Sequence, residues 1–90
     1  MPRVEVRPWV LADVANALKS RTTLGRVLFD LTNHLPNNLP VYQPRRIPGS
    51  PRCFSYDRIY VNAGALQGFS FVVQDADPAI LDVIWVTPTA

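Results

Sequence analysis

Residues 53–86 read CFSYDRIYVNAGALQGFSFVVQDADPAILDVIWV, and this stretch decides the fold. Cys53 to Val61 carries Phe54, Tyr56, Ile59, Tyr60 and Val61, the aromatic and β-branched side chains that suit a pleated, half-buried surface. Asn62-Ala63-Gly64 is a turn signal, and Phe69-Ser70-Phe71-Val72-Val73 is a second strand. Asp75-Ala76-Asp77-Pro78 predicts a tight turn, because Asp bonds its own backbone and Pro presets φ. Ile80 to Val86 is a third strand, apolar on both faces apart from Asp82, which is the pattern of a strand placed centrally in a sheet. Three strands joined in sequence make a meander.

Upstream of the meander lies an unusual segment. Prolines stand at 36, 40, 44, 48 and 51, five in the sixteen residues 36–51. Each fixes φ, removes an amide donor and restricts the residue before it, so the segment is predicted to be neither helix nor central strand. It is expected to run extended along the surface as a stiff connector. Before it, Leu24, Val27, Leu28, Leu31 and Leu35 form an apolar stripe at helical spacing, ended by Pro36-Asn37-Asn38. Gly25 costs that helix about 1 kcal/mol relative to Ala, and close packing on a neighbouring helix would explain it. Val10, Leu11, Val14 and Leu18 form an earlier stripe, with Asp13 and Lys19 on the opposite side. Ser20-Arg21-Thr22-Thr23 separates the two, and Thr22 or Thr23 is suited to cap the second helix. Arg3-Val4-Glu5-Val6-Arg7 alternates apolar and charged, as a half-buried strand does, and Pro8 ends it. The predicted architecture is α+β in the order β-αα-βββ. A helical hairpin packs on one face of a small, mostly antiparallel four-stranded sheet, as a single domain over residues 1–90.

Composition narrows the chemistry. Of the 90 residues, 48% are hydrophobic and 18% charged, so the chain is a folding sequence. Its apolar stretches fall short of the ~20 residues of a membrane span, and Met1-Pro2-Arg3 runs straight into a strand, so no membrane association and a cytoplasmic location are expected. One cysteine and one histidine exclude an internal disulfide framework and a Cys- or His-based metal cluster, so neither metal nor cofactor is expected. Catalysis would fall to Arg, Tyr, Asp and Ser. Charge is unevenly laid out. Arg45, Arg46, Arg52 and Arg58 face only Asp57 within residues 41–60, whereas residues 61–90 hold Asp75, Asp77 and Asp82 and no base. Arg outnumbers Lys eight to one, which fits an anionic partner because the guanidinium fork matches phosphate and carboxylate; codon bias in a GC-rich genome gives the same count.

The element order, the small size and the basic segment resemble the RelE/ParE superfamily of toxins from toxin–antitoxin pairs. In that family a helical hairpin lies on a small sheet made of one N-terminal strand and a C-terminal meander. Gly68 to Asp75, followed by a turn and Ile80 to Val86, is similar to the family's Asp-Tyr-Arg-Val-Ile-Tyr strand, acidic turn and apolar last strand, with Phe69 in the Tyr place and Ser70 in the Arg place. A second register sets Tyr56-Asp57-Arg58-Ile59-Tyr60 on the same motif and leaves one strand over. The resemblance implies a cognate antitoxin as partner and RNA, the ribosome or DNA gyrase as target. It also implies ribosome-dependent cleavage of mRNA in the branches that are enzymes. Those branches use a Tyr or His near the C-terminus, whereas this chain ends Val86-Thr87-Pro88-Thr89-Ala90.

Arg45, Arg46, Arg52 and Tyr42 are the candidate RNA-binding residues. Arg58, Tyr56 and Tyr60 are the candidate catalytic ones. On a strand, Phe54, Tyr56, Arg58 and Tyr60 share one face by the period of two. Arg can stabilise a developing phosphorane, while Tyr stacks on a base or transfers a proton. The competing structural explanation is that Tyr56 and Tyr60 cover the sheet edge while Arg58 pairs with Asp57 or Asp82. His34, at the end of the second helix, is suited to bond the last carbonyls, and Cys53 reads as a small buried group. Trp9 and Trp85 read as core or partner-contact residues. Three functions follow: an RNA- or ribosome-binding toxin, with or without mRNA cleavage; a non-enzymatic binder of gyrase or another protein; and a structural accessory protein, for which a homodimer through an exposed strand edge or the Trp9 region is expected.

Overall fold

A computed structural model describes residues 2–18 and 21–89. Lys19 and Ser20, read above as the polar face and the break between the helices, lie outside the described residues. Strand β1 (Arg3–Val6) leads into α1 (Pro8–Ala17), where Pro8 occupies the first turn and loses no helical hydrogen bond. Helix α2 (Arg21–Phe29) continues through a π-helical turn (Asp30–His34) into α3 (Leu35–Asn38), and a 3₁₀ turn (Leu39–Tyr42) follows. Then come β2 (Arg45–Ile47), β3 (Ser50–Asn62), β4 (Ala65–Gln74) and β5 (Ile80–Thr89). The protein is therefore α+β, with a sheet in the order β1-β5-β4-β3-β2. The β2–β3, β3–β4 and β4–β5 pairs are antiparallel and β1 runs parallel to β5.

Two expectations are corrected. The sheet has five strands, because the connector supplies β2, and it is mostly antiparallel, its one parallel pair being β1 with β5. The segment 36–51 is also not extended throughout. Pro36 and Pro40 each stand at the second residue of a short helical piece, Pro36 directly after the π turn. The wider turn accommodates the proline ring against the preceding coil. Side chains take up main-chain acceptors there: Thr32 Oγ1 donates to Leu28 O, Asn33 Nδ2 to Phe29 O and Asn37 Nδ2 to Asn33 O. The helical run ends at Gln43, in the left-handed region at φ 53°. Pro44 and Pro48 then bracket β2, and Pro51 sits in β3 ahead of its first β4 partner, Cys53.

The core lies between the helices and one face of the sheet. Val10 and Val14 of α1, Val27 of α2, Leu31 and Leu35 pack on Phe54, Tyr56, Phe69, Phe71, Val73, Leu81, Val83 and Val86. Fully burying one such aromatic or aliphatic side chain contributes about 1.5–3 kcal/mol. A register shift opposite Val72 and Val73 makes Ile84 the extra residue of a bulge, so that Val83 and Val86 both turn inward while Trp85 stays 55% exposed. This is how a strand apolar on both faces is accommodated. Trp85 is thus outside the core, and Trp9, 49% exposed, donates its indole N–H to Ile84 O. Asn62 and Ala65 close a two-residue hairpin with Ala63 and Gly64 both at positive φ, as a type I′ turn requires. Thr22 and Thr23 lie within α2, and Cys53 is half-buried. No helix among the described residues is long and apolar enough to cross a membrane.

Candidate functional site

The inward face of β3 ends in Arg58 and Tyr60, and the π turn of the second helix drops Asp30 onto them. Asp30 is 5% exposed, and a carboxylate so placed must be surrounded by donors. It is. Tyr60 OH donates to Oδ2 at 2.6 Å and Arg58 Nε to the same oxygen at 3.1 Å. Tyr42 OH donates to Oδ1 at 3.0 Å, and His34 Nδ1 lies 3.0 Å from that oxygen. A carboxylate only accepts, so His34 Nδ1 carries the hydrogen and Nε2 is left for another partner. The Arg58 guanidinium lies 4.5 Å from the Tyr42 ring centroid and 5.9 Å from that of Tyr60.

These contacts set the charge states. Burial pushes the Asp30 carboxyl up, but the hydrogen bonds from Tyr60, His34 and Tyr42 and the charge of Arg58 outweigh it, and the net shift is downward. Burial and the Asp30 carboxylate push the Tyr60 phenol far above its ordinary range. The Tyr42 phenol is raised for the same two reasons. Desolvation works against the Arg58 cation, yet Asp30 more than compensates and Arg58 stays charged. The cluster is therefore an ionised carboxylate holding a cation, with two phenols fixed as donors.

A groove of about 460 Å³ opens beside it, lined by Thr22, Gly25, Arg26, Phe29, Asp30, His34, Arg58 and Tyr60. A Cβ at Gly25 would meet nothing within 4 Å, so this glycine borders the groove and does not serve close packing against α1. Phe29 is 56% exposed and meets the His34 ring edge-on at 5.2 Å. Arg26, on the groove wall, has no carboxylate partner among the described residues.

The sequence-predicted residues divide into three groups. Arg58, Tyr60 and Tyr42 converge on one carboxylate, which is neither Asp57 nor Asp82. Tyr56 is 1% exposed and stacked between Tyr42 (5.2 Å) and Phe71 (5.4 Å), a core position that pushes its phenol far up through burial. Arg45 and Arg46 stand apart at β2. Arg45 binds Asp57 at 3.2 Å, and Arg46 binds both oxygens of Asp75 at 2.8 and 2.9 Å while lying over Phe54. Arg52 is exposed and makes no ion pair among the described residues. The connector's first two arginines are thus each paired with a carboxylate, in contacts more exposed than that of Arg58. Asp82 belongs to Arg7.

Asp30, Arg26, Phe29 and the orientation of His34 were missed by the sequence reading. A signal existed, since Asp30 and His34 stand four apart and so share a helix face. The reading placed His34 at a helix terminus, whereas it lies within the continuous helical run, facing Asp30. Comparison of the chain with protein-family models, curated proteins and solved structures returns no match.

Proposed function

We propose that the chain is an RNA-binding module of the RelE/ParE toxin kind, with its nucleic-acid site in the groove beside Asp30. The observation that carries this reading is Arg58. It is a cation oriented by a buried carboxylate, flanked by aromatic rings, and placed in one groove with Arg26, His34 and the exposed Phe29. Phosphate needs fixed cations and an unpaired base needs a stacking surface, and this groove supplies both. The order of a strand, a helical pair and a meander agrees with what the resemblance implies.

On this reading strand cleavage runs through His34, since imidazole is the side chain suited to proton exchange near neutrality. A 2′-oxygen attacks phosphorus, its proton passes to His34 Nε2, the bond from phosphorus to the 5′-oxygen breaks, and that oxygen takes a proton from water. Arg58 and Arg26 face the developing charge. Tyr60 and Tyr56, held protonated, position and pack.

The test is anisotropy of a fluorescein-labelled single-stranded RNA titrated with the full chain at several salt concentrations. Arg26→Ala should weaken binding and lower the salt slope by about 0.7, the value for one phosphate contact on a single strand. Expression should arrest growth. RNA binding indifferent to Arg26→Ala and Arg58→Ala would remove the groove from the reading. Arrest without RNA binding would point to gyrase or another protein as the target.

A further inference from the structure

The two faces of the sheet differ in what covers them. Val10, Val14, Val27, Leu31 and Leu35 of the helical segments all pack on the face that holds Phe54, Phe69 and Val83. The opposite face carries no helix among the described residues. Side chains alternate along each strand, and the register assigns Ile59 and Val61 of β3, Leu66 and Val72 of β4 and Trp85 of β5 to this open face. Eight large apolar side chains stay exposed among the described residues, and four of them, Ile59, Val61, Leu66 and Trp85, stand here, each more than half exposed. Leu66 lies directly opposite Val61, and Trp85 directly opposite Val72. Soluble monomers seldom leave so much apolar surface gathered on one side.

The charges of the open face are matched within it. Arg3 Nη2 donates to Glu5 at 3.0 Å, the Arg7 fork takes both oxygens of Asp82, and Arg45 meets Asp57 at 3.2 Å. Three cations stand against three carboxylates and each is in contact with its opposite. Such a face offers no net field to a polyanion or to a charged segment. It does not repel a copy of itself either. Its size is also sufficient. Strands of ten residues are ~33 Å long at ~3.3 Å per residue, so β4 and β5 follow the longest dimension of a molecule measuring 36 × 25 × 25 Å. The face they build measures roughly 900 Å², against the ~800 Å² that each partner contributes to a stable interface.

We propose that the open face of the sheet binds a second copy of this chain, in a two-fold dimer with the sheets face to face and the helices outward. Sheets packed in this way lie ~10 Å apart with their strands within ~30° of one another. Leu66 and Val72 stand at opposite ends of the open stretch of β4, with the small Gly68 and Ser70 between them. A two-fold axis crossing β4 at these small residues lays Leu66 of one copy over Val72 and Trp85 of the other, and the reverse. The same patch thus serves both partners, as a two-fold interface requires. The apolar residues take the centre and the matched ion pairs fall toward the rim, where water still reaches them. The groove with Arg26 and Arg58 is on the helix side and stays open, so the dimer does not depend on the function proposed above.

The test is sedimentation velocity of the full chain from about 1 μM to about 1 mM. A species of 10.1 kDa should pass into one of twice that mass as concentration rises. Leu66→Glu and Trp85→Glu should each weaken association at least about tenfold, since each sets an unpaired charge in the apolar contact. Val41→Glu, at a similarly exposed apolar residue of the 3₁₀ turn, should leave association unchanged. Far-UV circular dichroism reports whether each variant keeps its fold. Hydroxyl-radical labelling of the unaltered chain gives a reading free of substitutions: Leu66 and Trp85 should be labelled less as the dimer forms, while Phe29 in the groove keeps its labelling. The proposal falls if the chain stays monomeric up to about 1 mM, if the dimer survives both substitutions on the open face, if Val41→Glu weakens it as much, or if Leu66 and Trp85 remain as accessible in the dimer as in the monomer.

Discussion

Arg58 and Arg46 carry the same side chain, each over an aromatic ring and each on a carboxylate. In the sequence nothing separates them. In the molecule the Arg46 side chain is 58% exposed and its partner Asp75 is 23% exposed, while Arg58 is 35% exposed and holds an Asp30 at 7%. Arg46 has the better fork, with two bonds to two oxygens. Arg58 makes one bond but shares its carboxylate with two phenols and an imidazole. Pairing geometry therefore does not rank the two sites. Desolvation of the carboxylate does, because an ionised group away from water depends on every donor around it. The β2 pair ties a short strand to the turn before β5. The Asp30 cluster organises a site.

Removing the two carboxylates should expose the difference. Asp30→Ala strips the partner from Arg58, Tyr42 and Tyr60 at once, and urea unfolding should show a loss of about 3 kcal/mol, at the low end for breaking a buried pair because Arg58 is partly exposed. A loss below 1 kcal/mol would show that water replaces the carboxylate without penalty.

Acid should find the same weak point. The Asp30 carboxyl is depressed in the folded state, so the stability it contributes is complete above its unfolded value near 3.8 and drains away as pH falls through the folded value. Thermal unfolding of the wild type should drop below about pH 4 more steeply than that of Asp30→Asn. Parallel curves for the two proteins would assign the acid sensitivity elsewhere.

Tyr60→Phe removes one donor and keeps the ring. It should reduce stability by about 1 kcal/mol, the ordinary value for a hydrogen bond. In a double-mutant cycle with Asp30→Asn the two losses should fall short of their sum, and strict additivity would deny the contact. Asp75→Ala is the smallest of the set. As a mostly exposed pair, its loss should be at most about 1 kcal/mol and should shrink further in 1 M salt. A larger, salt-independent loss would mean that β2 depends on Asp75 for its place in the sheet.

Much of this was legible in the chain itself. Alternation in Arg3–Arg7, the apolar stripes of the two helices, the Asn62-Ala63-Gly64 turn and the aromatic run of β3 each state a local geometry, and local geometry is what periodicity reports. The strand order along the chain and the face shared by Phe54, Tyr56, Arg58 and Tyr60 followed from those patterns. The connector was misread because each of its own prolines was treated as a helix breaker. The helical run nevertheless passes through Pro36, directly after a π turn wide enough to seat its ring. Asp30 was passed over because a lone aspartate in a helical stripe looks like any solvent-facing charge.

The residue pattern alone specified strands β1, β3, β4 and β5, the two apolar helix stripes and most of the side chains that face the core, and it showed that acid–base chemistry rests on few groups. Tertiary structure alone decided that β3 outruns β2, that Tyr42 swings back from the 3₁₀ turn, and that Asp30, 28 residues before Arg58, becomes the carboxylate on which three separated side chains meet. The physical reason is range. Backbone preference acts over neighbours along the chain, but the ionisation of a carboxylate depends on the donors and the water around it, and those are set only when distant segments pack.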